Sequence, residues 1–292
     1  MARMTAELRR TVLAAAVVDD LPVTVDPAAG DAPDAPAVVV TDPESGRSTR
    51  LTWEDMAAAV GAWRTEPTHP VTRGRVSALV SAALLTAAGG PGALAAAVRA
   101  HVEVAGSPRS CGAGWALDGL GDGPLAVGWG VVTPSVGPLT WPLPAAPTLV
   151  AALRAGGPDL AEAVREVDRL GAALAGRLER DRREGRDLVL RPMGAADVPT
   201  LLLSPTLRRW IAGRDGTGLG TLAVPTRHRG WTDIRRIDPP YVAAAHAATD
   251  AVDAACPVPL LVTADEVLGP RTGDGTVGPG HPSGDQFRVP DM

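Results

Sequence analysis

Seven arginines fall between Pro192 and Pro240: Arg208, Arg209, Arg214, Arg227, Arg229, Arg235 and Arg236, set against Asp197, Asp215, Asp233 and Asp238. Two runs stand out there, Arg214-Asp215-Gly216-Thr217-Gly218-Leu219-Gly220 and Arg227-His228-Arg229-Gly230-Trp231. Glycines let backbone N–H groups close on an anion, and guanidinium forks add paired donors. Gly216, Gly218, Gly220, Arg227, Arg229, Arg235 and Arg236 therefore form a candidate site for a phosphate or carboxylate. His228 reads as a general base beside it, with Asp233 as the carboxylate that orients it. The competing reading is an edge hairpin, whose alternation turns Arg227 and Arg229 to one face and His228 to the other.

Other constellations are weaker. Ser110-Cys111-Gly112-Ala113-Gly114-Trp115 resembles the nucleophile segment of papain-like cysteine proteases, but Gly114 stands at the nucleophile's position and the chain has no Asn to orient a histidine. Leu260-Leu261-Val262-Thr263-Ala264-Asp265-Glu266 is similar to the strand and acids that hold magnesium in P-loop ATPases. With no lysine for a phosphate loop, it reads as a strand ending in exposed acids. Gly216-x-Gly218-x-Gly220 departs from the dinucleotide fingerprint in spacing, and a helix rather than a strand precedes it. His69, His246 and His281 have no partner at metal-ligand spacing, and Cys111 and Cys256 offer no zinc or disulfide framework. No metal and no cofactor is expected.

Composition narrows the chemistry further. All 28 basic residues are arginine, which excludes Schiff-base catalysis and pyridoxal phosphate chemistry. A net charge of −5 argues against general nucleic-acid binding, leaving at most a weak, salt-dependent contact through the 192–240 segment. The N-terminus lacks the pattern of a secretory leader, and we expect a cytoplasmic protein. Val76–Val98 carries no charge, yet Gly89-Gly90-Pro91-Gly92 breaks it, so a buried helical hairpin is expected there and no membrane span.

The elements that must position these residues follow from spacing. Thr5 caps a first helix with Leu8, Val12 and Ala16 on one face, and a Pro-rich acidic connector covers 19–36. Val38–Val40 and Ser48–Leu51 form a hairpin around Asp42–Gly46, and Thr52 with Asp55 makes a capping box for a helix to Trp63. The uncharged helices extend to about Val102, and Leu125–Val132 reads as a strand. Pro158–Glu184 is an amphipathic helix with Leu160, Val164, Val167, Leu170, Leu174 and Leu178 on one face. Leu188–Leu190, Thr221–Val224 and Val258–Thr263 read as strands. Helices start at Ser204-Pro205, ending at Gly213, and at Asp238-Pro239.

The expected fold is α+β, with an Ala-rich helical N-terminal part that includes a β-hairpin, and a mixed sheet with short helices in the C-terminal part. Residues 1–268 form one domain, or two lobes joined near 134–147, and 269–292 form a disordered Gly/Pro-rich tail. The functional expectation is an enzyme or sensor for a small anionic ligand at the Arg/His cluster and glycine loop. The alternative is a non-enzymatic interaction or assembly protein, a homo-oligomer included, that uses the 158–184 helix.

Overall fold

The computed structural model describes residues 2–29, 35–60, 68, 70–89, 98–104, 116–119, 124–131, 143–145, 150, 159–214, 216–232, 255–256 and 258–269. The fold is α+β, built on three small antiparallel sheets. The predicted helix after Asp238 and the tail beyond Gly269 lie outside the described residues.

Helix α1 (Ala2–Val18) buries Val12, Ala15 and Ala16 and begins upstream of the expected Thr5 cap. The Pro-rich stretch read as a connector contains a strand, β1 (Val23–Val25), because β2 (Pro36–Thr41) has a free edge for it to join. Pro22 and Pro27, neither able to donate to a ladder, bracket β1. Strand β2 pairs on its other side with β3 (Ser48–Thr52). The capping box is present: Thr52 N donates to Asp55 Oδ2 at 2.8 Å, and Asp55 N donates to Thr52 Oγ1 at 3.2 Å. It opens α2 (Trp53–Val60), and the Arg9 guanidinium sits 4.4 Å from the Trp53 ring. Helix α3 (Pro70–Gly89) ends where the glycines begin and buries Val76, Leu79, Val80, Ala82 and Ala83. No helix among the described residues is long and apolar enough to cross a membrane.

The next element departs from expectation. Val98–Val104 is a strand, β4, and not the end of a helix. Its residues alternate, with Val98, Ala100 and Val102 apolar between Arg99, His101 and Glu103, a period of two that suits a pleated strand. It pairs along its whole length with β6 (Leu125–Val131), whose other edge carries β5 (Ala116–Gly119) and β7 (Leu143–Pro144). The stretch expected to be a linker thus contributes β7 to this sheet.

Helix α4 (Leu160–Arg183) begins at the cap Asp159, whose side chain accepts from Ala161 N. After β8 (Val189–Leu190) come α5 (Val198–Leu201), capped by Asp197, and α6 (Pro205–Ala212), capped by Ser204. The last sheet adds β9 (Gly220–Thr226), β10 (Arg229–Thr232), β11 (Leu260–Val262) and β12 (Val267–Leu268), in the order β12-β11-β9-β10-β8. The expected mixed sheet is antiparallel at every described pairing. Strands β8 and β9 do run the same way, but β10 lies between them and pairs antiparallel with both.

Two apolar cores result, and sheet β4-β6 belongs to both. Val98, Trp129 and Val131 join the first core with α1, α2, α3 and the first sheet. Further along the same strands, Ala100, Val102, Leu125 and Val127 join the second core with α4, α5, α6 and the last sheet. These residues lie opposite one another in register, so one face of the β-ribbon feeds both cores.

Candidate functional site

Strand β9 organises the candidate residues. Its Leu222 and Val224 face the core beneath α6, and Gly220 starts it because nothing larger fits: an added Cβ would meet Ile211 Cγ2 at 2.4 Å and Ile211 O at 2.9 Å. Gly220 therefore serves packing. The loop before it is open, with Gly216, Thr217, Gly218 and Leu219 exposed. Gly216 and Gly218 hold φ of 75° and 73°, which L side chains rarely adopt, and nothing lies within 4 Å of a Cβ built at either.

The other end of β9 carries the Arg227-His228 turn, joined directly to β10. Six residue steps of about 3.3 Å separate Gly220 from Thr226, roughly 20 Å of strand. Among the described residues, the structure therefore places the glycine loop and the His228 turn at opposite ends of one strand. Among the described non-glycine residues only Asp20 has positive φ, so the turn is not of the primed kind that matches strand twist. The register shift between Arg229 and Trp231 takes up that mismatch.

The flanks of the turn separate the three neighbours. His228 is exposed, and Arg229 is half-buried with its guanidinium 4.9 Å from the Trp231 ring. Arg227 points inward and is 1% exposed. Its Nη2 lies 2.5 Å from Glu103 Oε2 and donates to Val102 O at 3.0 Å, while its Nη1 donates to Asp197 Oδ2. His101 Nε2 lies 3.0 Å from Glu103 Oε1. Burial alone would lower the Arg227 pKa, but the carboxylates of Asp197 and Glu103 outweigh it, and the net direction is up. This guanidinium is committed to groups inside the protein, away from the exposed His228.

The cluster joins three elements. Asp197 bonds Arg227 through one oxygen and caps α5 through the other, which accepts from Thr200 N at 2.9 Å. Thr200 Oγ1 accepts from Val102 N at 3.3 Å, and Val198 N donates to Arg227 O at 2.9 Å. Both backbone groups of Val102, on the edge of β4 away from β6, are thus satisfied by Thr200 and Arg227 instead of a neighbouring strand. Cys256, whose N donates to Val224 O at 2.9 Å, is buried next to this cluster. Desolvation pushes its thiol up to about 12, although the Arg227 charge pulls the other way.

The remaining basic residues divide similarly. Arg208 is buried and donates to Leu202 O at 2.8 Å, Leu203 O at 2.9 Å and Ala264 O at 3.3 Å. Arg214 donates to Thr232 Oγ1 at 2.7 Å and lies 5.5 Å from the Trp210 ring, at the glycine-loop end of the sheet. Asp233, Arg235 and Arg236 follow Thr232 in sequence and lie outside the described residues, as do Cys111 and its flanking motif. Asp265 and Glu266 form the turn between β11 and β12, where both N–H groups donate to Thr263 Oγ1, at 3.2 and 3.1 Å. Among the described residues no group of three or more His, Cys, Asp or Glu is placed to hold a metal.

Sequence reading missed His101, Glu103 and Thr200 as partners of the arginine segment. The period-two alternation of 98–104 carried the signal for a strand, but nothing in it specifies a partner more than a hundred residues away. No family model, no curated protein and no solved structure matches the chain.

Proposed function

We propose that the chain binds a small anionic ligand, bearing a phosphate or a carboxylate, at the glycine-loop end of the last sheet. The supporting observation is the pair of open left-handed glycines, Gly216 and Gly218, beside Arg214. Backbone N–H groups at such glycines approach an anion without side-chain obstruction, and a guanidinium held by Thr232 adds a fixed positive charge. Arg235 and Arg236 follow the same end of β10 in sequence and belong to this reading as further cationic groups. A cytoplasmic setting goes with it. The assembly reading gains less from the geometry, since the apolar face of α4 packs its own core through Val167, Leu174 and Leu178.

The test is a thermal-melt screen at low salt with inorganic phosphate, nucleotides, coenzyme A and small carboxylates. Ligand at 100 times its dissociation constant adds about 2.7 kcal/mol, a rise of several degrees for a chain of this size. The expected result is a rise in wild type that Arg214→Ala removes and His228→Ala retains. A rise lost with His228→Ala and kept in Arg214→Ala would move the site to the other end of β9, and no rise with any compound would overturn the reading.

A further inference from the structure

We draw no further inference here: the strongest candidate, the exposed valines Val17 and Val18 at the end of α1 and Val25 at the end of the short edge strand β1, carries nothing because nothing in the structure shows what covers them.

Discussion

Arg227 shows how far the meaning of a residue depends on what reaches it from elsewhere. In sequence it flanks a histidine and reads as a ligand-binding fork; in the fold, Glu103 from β4 and Asp197 from the cap of α5 enclose it. Removing the guanidinium alone leaves two buried carboxylates uncompensated, so Arg227→Met should cost about 3–5 kcal/mol in a denaturant titration. Neutralising its partners as well, with Glu103→Gln and Asp197→Asn, should recover much of that loss. Asn still caps α5, and no buried charge remains unpaired. If the triple variant were as unstable as the single one, the cluster would matter for packing and not for charge.

Surface charge behaves differently, and Glu179 supplies the contrast. Hydrogen bonds from Arg182 and then Arg183 lower its carboxyl from 4.5 to about 2, with Trp210 Nε1 adding a weaker contact at 3.4 Å. A depressed carboxylate stabilises the fold above its unfolded value near 4.5, and that contribution is lost as pH falls through about 2. Carboxyl titration by NMR should place Glu179 near the bottom of the acidic range in wild type, and Arg182→Ala with Arg183→Ala should return it towards the ordinary glutamate value.

At the scale of elements, those whose specification is local were legible. Helix α4 was expected over 158–184 and spans Leu160–Arg183, because its apolar period and balanced charges lie within one continuous stretch. The capping box at Thr52 and the Ser204-Pro205 start were readable for the same reason. Strand β4 was overlooked although the alternation of 98–104 carries its period of two, whereas β1, three residues between prolines, has too short a pattern to read and is fixed by pairing with β2. For the candidate site, nearness along the chain suggested one cluster, while among the described residues β9 sets the glycine loop and the His228 turn at its two ends.

Two glycines in α4 test how its packing is set. A Cβ at Gly171 would come within 2.2 Å of the Ser204 side chain, the cap of α6, which also donates to Asp168 at 2.6 Å. At Gly176 nothing lies within 4 Å. Alanine at Gly176 should stabilise by about 0.5–1 kcal/mol through helix propensity. Alanine at Gly171 gains the same propensity but must push the two helices apart, and a net loss of about 1–3 kcal/mol is expected. Thermal denaturation of the two variants should shift in opposite directions; a stabilising Gly171→Ala would mean that α4 and α6 are not held at this distance.

For the whole molecule, the sharing of β4 and β6 between two cores is the main constraint. A buried thiol next to the ionic cluster reports on it. With its pKa pushed up to about 12 and its side chain enclosed, Cys256 should resist alkylation at pH 8 in the folded protein and react once the protein unfolds. In a Cys111→Ala background, the labelling rate against denaturant should follow the same transition as helical circular dichroism. Fast labelling under native conditions would show that the second core opens on its own.

That shared ribbon also bears on how the chain could be dissected. The proline-rich stretch at 134–147 looks in sequence like a natural place to cut, with helices before it and the arginine segment after it. A fragment ending there would keep β4 and β6 but lose their partners in the second core. Val102, Leu125 and Val127 would then face water, and Glu103 would be left without Arg227. The remaining fragment would begin without the strand edge that Thr200 and Arg227 serve. We expect neither half to fold as a portable module, so truncations meant to isolate a function should preserve the ribbon together with both of its cores.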